Sequence, residues 1–137
     1  MIIESVKILF VCKHNRFRSK VAEAFFNKYN KNEKNEVKSA GIALDFMRPY
    51  VAEDVYKILE DMDVKIGDTI ARKIDEELIR WSDKIIIVAD NVEEGMFGTK
   101  DVEVWKVEDC GENDVERIRG ISVDIGVRVK KLVDELK

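Results

Sequence analysis

The chain has 137 residues, 45% of them hydrophobic and 38% charged, and a formal net charge of −4. That length and apolar content fit a single domain over residues 1–137, and the acidic balance gives no case for nucleic acid or membrane as a partner. No leader-like or membrane-spanning apolar run is present, so a cytoplasmic location is expected, and in that reducing setting Cys12 and Cys110 point to catalysis or redox sensing before a structural disulfide.

Val6, Ile8, Leu9, Phe10 and Val11 form an apolar, partly β-branched run suited to one buried strand and too short for a helix. Cys12 ends it. From Val21 the spacing becomes helical, with Val21 and Phe25, Ala22 and Phe26, then Tyr29 on successive turns, which predicts a helix over 19–29. The polar stretch 30–38 reads as a helix end and loop, and 37–41 as a short strand running into Ser39, Ala40 and Gly41. These three are small enough to let the chain turn tightly beside the first loop. Residues 43–49 form a loop with exposed apolar groups, and Pro49 stands where a helix over 50–62 can begin, with Val51, Val55, Ile58, Leu59 and Met62 on one face.

Residues 74–81 suit a short helix and 84–89 a second buried strand. Residues 90–98 suit a polar loop or short helix, 102–107 an alternating strand, and 114–136 a long helix with apolar residues three and four apart. Trp81 and Trp105 are read as packing residues. Strands alternating with helices predict an α/β fold: a three-layer, doubly wound, four-stranded parallel sheet with helices on both faces. Such sheets bind ligands beyond the carboxyl ends of their strands, where Cys12 falls.

The loop from Cys12 to Ser19 opens with a thiol and closes with a guanidinium. Between a strand and a helix N-terminus, such a loop can turn its backbone N–H groups inward and hold a tetrahedral oxyanion. Arg18 can meet two oxygens of that anion with its planar fork. The same field favours the thiolate of Cys12, and Ser19 can cap the helix and donate its hydroxyl to the sulfur.

C-x5-R-S after an apolar strand, followed by Ala22-Glu23-Ala24-Phe25-Phe26 on a helix, resembles the low-molecular-weight protein tyrosine phosphatase family, whose superfamily includes thioredoxin-coupled arsenate reductases. The resemblance extends along nearly the whole chain. It implies Cys12 as nucleophile, Arg18 as phosphate ligand, and a phosphate loop of Lys13, His14, Asn15, Arg16, Phe17, Arg18 and Ser19. Asn15 matches a family position held in an unusual backbone conformation. The family carries an Asp-Pro pair after its fourth strand, whose Asp is the general acid and then the base; Asp109 occupies that place, with Glu108 as the fallback. The loop carrying Phe46 and Met47 corresponds to one wall of the family's cleft.

The departures are specific. Cys110 replaces the Pro, and Gly111 replaces a frequent aromatic, which puts strong phosphotyrosine preference in question. His14 stands where the phosphatases often carry Gly, and a His14-Asn15 pair is closer to the arsenate reductase branch. Three readings stay open. One is hydrolysis of a phosphomonoester, protein phosphotyrosine or a small phosphate ester, with no cofactor and no metal. One is arsenate reduction using Cys12 with Cys110 or an external thiol. One is a non-catalytic oxyanion or phosphopeptide binder.

Overall fold

The computed structural model describes residues 5–98 and 100–136. The elements in chain order are β1 (Lys7–Cys12), α1 (Arg18–Tyr29), β2 (Glu36–Gly41), α2 (Glu53–Asp61), α3 (Glu76–Trp81), β3 (Lys84–Val88), a 3₁₀ turn (Glu94–Phe97), β4 (Val102–Trp105) and α4 (Val115–Glu135). The four strands pair in the order β2-β1-β3-β4, all parallel.

Composition decides which strands are central. β1 and β3 are near-continuous apolar runs, as strands covered on both faces must be. β2 and β4 carry Glu36, Lys38 and Glu103 and take the edges, where charge discourages further pairing. Alternate residues of the central strands serve opposite layers. Ile8, Phe10, Ile86 and Val88 pack with α1, α2 and α4. Leu9, Val11, Ile85 and Ile87 pack with Phe97 and with Leu78 and Ile79 of α3. Helices therefore cover both faces, as expected. Trp105 is buried against Phe10, their ring centroids 5.8 Å apart. Trp81 is only partly buried, and the Lys38 ammonium lies 4.5 Å from its ring centroid.

α3 begins at Glu76 rather than at 74, with Asp75 as its N-cap, and two further boundaries depart from expectation. α2 begins at Glu53, not Tyr50, because the preceding residues are held extended: Tyr50 pairs with Ile70, Val51 N–H donates to Thr69, and the Pro49 carbonyl accepts from Ala71. β4 ends at Trp105, whose carbonyl accepts from Ala89, rather than at Val107. The Val107 carbonyl instead accepts from Arg18 Nη1 at 2.8 Å. Both departures serve the loop after β1.

Candidate active site

β1 delivers Cys12, 2% exposed, to the carboxyl edge of the sheet. The chain then turns through residues 13–17 into α1. The loop's carbonyls point outward to neighbouring segments: Cys12 accepts from Ile42, Lys13 from Ala43, Arg16 from Ala52 and Phe17 from Val21. The N–H groups of His14 to Phe17 have no carbonyl partner among the described residues. A loop whose carbonyls face out and whose N–H groups are unpaired is a cradle for an oxyanion.

Two residues make that turn feasible. Asn15 takes φ = 56°, the left-handed region that Asn tolerates better than most side chains. Gly41 of β2 passes so close that a Cβ there would lie 2.8 Å from the Asn15 nitrogen, which confirms why a small residue stands beside the loop. Asn15 is fully buried and its amide is fully used. Nδ2 donates to Ser19 Oγ at 2.7 Å and to Ser39 Oγ at 3.0 Å, while Oδ1 accepts from Arg72 N at 2.8 Å. The Ser39 hydroxyl in turn donates a hydrogen bond to Glu23 Oε1 at 2.6 Å. The Ser19 hydroxyl lies 2.9 Å from Cys12 Sγ, where it donates to the sulfur once Cys12 is a thiolate. Ser19 therefore does not cap α1; Phe17 is the N-cap residue, and no side chain caps that end. His14 Nδ1 pairs with the Ala43 carbonyl and ties the loop to the next segment.

Arg18 is 2% exposed, and its fork is aimed by other strand ends. Beside the Val107 carbonyl, Nη1 lies 3.4 Å from Asp90 Oδ1, and Nη2 donates to Asn91 Oδ1 at 3.1 Å. Nη2 also lies 3.8 Å from Asp109 Oδ2. Asp90 and Asn91 were not singled out from the sequence, yet they directly follow the buried run 84–89, and a strand's carboxyl end was the available signal.

A cleft of about 240 Å³ opens over these groups. Cys12, Arg18, Asp109 and Cys110 all line it. Asp109 is half-exposed and accepts from the Cys110 N–H at 2.9 Å. Glu108, the fallback acid, is turned away, its Oε1 held by Arg117 Nη2 at 2.8 Å. Burial, then the Asp109 carboxylate, pushes the Cys110 thiol above its ordinary value. Phe17 and His14 are on the cleft wall, while Lys13 is not and contributes backbone to the loop. Phe46 and Met47, expected as walls, are not on the cleft; they are 88% and 86% exposed. Asp45 and Arg48 of the same loop line it instead. Arg48 turns inward because Asp45 holds its Nη2 at 2.9 Å and Glu112 takes its Nη1.

Residues 7–137 match the family model described as low molecular weight phosphotyrosine protein phosphatase. The chain belongs to that family, whose members are enzymes that act as phosphatases or arsenate reductases. An arsenate reductase from Brevibacillus brevis is 26% identical over 131 residues, 93% of each chain. The solved arsenate reductase from Archaeoglobus fulgidus is 31% identical with a TM-score of 0.79, covering 93% of this chain and 98% of that one. An arginine phosphatase from Geobacillus stearothermophilus has the same fold, with a TM-score of 0.82 at 19% identity over 96% of this chain and 92% of that one.

Proposed function

We propose that the chain hydrolyses phosphomonoesters, protein phosphotyrosine among them, through a phosphocysteine in a cytoplasmic setting that keeps Cys12 reduced. The convergence of Cys12, Arg18 and Asp109 in one cleft carries this reading. The Cys12 thiolate attacks phosphorus while the inward N–H groups and Arg18 hold the non-bridging oxygens. The bond to the leaving oxygen breaks, and that oxygen takes the proton of Asp109. The Asp109 carboxylate then takes a proton from water, the water oxygen attacks phosphorus, and phosphate leaves with Cys12 restored as thiolate. The Ser19 hydroxyl stabilises the sulfur as leaving group in that second step.

A second reading, arsenate reduction, is supported by three observations: both cysteines line the same cleft, the loop carries the His14-Asn15 pair, and the chain is 26% and 31% identical to the arsenate reductases of Brevibacillus brevis and Archaeoglobus fulgidus. In it, Cys12 binds arsenate, Cys110 attacks Cys12 Sγ, arsenic leaves reduced by two electrons as arsenite, and an external dithiol reopens the disulfide. The raised Cys110 thiol opposes this, since the thiolate is the attacking species. Residues 90–98 offer no other cysteine.

Incubation of the pre-reduced wild type with arsenate and no added thiol, followed by mass mapping of cysteines, separates the two readings. The hydrolase reading expects free Cys12 and Cys110, no arsenite, and phosphate release from p-nitrophenyl phosphate in a parallel assay. An arsenate-dependent Cys12–Cys110 disulfide with arsenite in solution would move the assignment to the reductase branch.

A further inference from the structure

Above the phosphate cradle, the cleft mouth carries a second cationic station. Arg16 comes from the phosphate loop and Arg48 from the loop before α2, and both line the cleft. Each is anchored by its own neighbourhood. Arg16 is buried, its Nε donates to the Tyr50 carbonyl at 2.9 Å, and its guanidinium lies 5.9 Å from the Tyr50 ring centroid. Arg48 Nε and Nη2 both meet Asp45 Oδ2, at 3.0 and 2.9 Å. The Glu112 carboxylate, from the irregular segment after β4, sits between them, Oε1 on Arg16 and Oε2 on Arg48. Asp45 occupies one edge of Arg48, so the two guanidiniums share Glu112 as the one carboxylate between them, and forks of this kind suit a carboxylate from any source.

Building on the hydrolase reading, we propose that Arg16 and Arg48 form a second anion subsite that takes an Asp or Glu carboxylate next to the phosphorylated residue of a polypeptide substrate. Glu112 holds the place of that carboxylate in the free protein. The arginines keep their other anchors when Glu112 leaves, so exchange needs only the partly exposed Glu112 side chain to swing out, with Asp109 left in place. Phe46 and Met47, exposed at 88% and 86% on the loop that carries Arg48, give the rest of a polypeptide an apolar surface outside the cleft.

The test compares kcat/KM for phosphotyrosine peptides flanked by Glu or by Gln, with p-nitrophenyl phosphate alongside, in the wild type, Glu112→Gln and Arg48→Gln. The wild type is expected to favour the Glu-flanked peptide about threefold, the size of a partly exposed ion pair. Removing the internal competitor in Glu112→Gln widens the preference to about tenfold, and Arg48→Gln brings it to about one. Raising the ionic strength shrinks the preference in the first two proteins. An equal Glu/Gln ratio in all three, with p-nitrophenyl phosphate still hydrolysed by the wild type, overturns the subsite alone. No hydrolysis of p-nitrophenyl phosphate by the wild type overturns the hydrolase reading and the subsite with it. Glu112→Gln is isosteric, so its ratio decides the matter even if Arg48→Gln folds poorly.

Discussion

Glu23, Ser39, Asn15, Ser19 and Cys12 run in a hydrogen-bonded line from the rear of the phosphate loop to the sulfur. The line holds the Ser19 hydroxyl against the sulfur. Its far end carries a cost. Burial pushes the Glu23 carboxyl above its ordinary value, and the Ser39 hydrogen bond and Lys20 only partly offset that. A carboxyl whose folded value is raised binds its proton more tightly in the native state. Its contribution to stability is then full below the unfolded value and is lost as pH rises through the folded one. Glu23→Gln keeps an acceptor for Ser39 without the charge. Its melting temperature is expected to exceed that of the wild type at about pH 8, with the gap closing towards about pH 4. A gap independent of pH, or one that grows towards acid, would contradict this. Cys12, Arg18 and Asp109 were legible at this scale because each is a short step in sequence from a strand's carboxyl end. Asp45, Arg48 and Glu112 were not, since Arg48 and Glu112 meet across 64 positions and neither belongs to a local motif.

Among elements, α4 packs on α1 where Gly126 faces Phe25. A Cβ at Gly126 would come within 2.9 Å of the Phe25 ring, which is itself buried and stacked on Tyr29 with centroids 5.7 Å apart. The ring has little room to yield, so Gly126→Ala is expected to lose about 1–2 kcal/mol, overpacking outweighing the gain in helix propensity. Gly120, on the same helix, has nothing within 4 Å of its Cβ position. Gly120→Ala is expected to gain up to about 1 kcal/mol. Denaturant unfolding of both variants checks the pair, and shifts of the same sign would contradict the packing account. The sequence cannot separate these two glycines, because the difference lies in a ring brought from another helix. For the same reason the start of α2 and the end of β4 were misplaced. Apolar periodicity extends through both boundaries, and the extended pairing of Tyr50 with Ile70 and the Arg18 contact to Val107 cut it short.

The whole molecule was the most legible level. Two long apolar runs had to be central strands, and parallel strands joined by helices leave their carboxyl ends on one edge. The groups proposed to act on an oxyanion, with those that hold Arg18, gather along that edge: Cys12 after β1, Asp90 and Asn91 (the partners of Arg18) after β3, and Asp109 after β4. The central claim is that this edge forms one hydrolytic site with a divided labour, and metal-free steady-state hydrolysis of p-nitrophenyl phosphate by the wild type, Cys12→Ser and Asp109→Asn tests it most directly. The account predicts turnover in the wild type, none in Cys12→Ser, and a loss of about a hundredfold or more in Asp109→Asn. Turnover that survives Cys12→Ser, or a wild type that releases no phosphate, would contradict it.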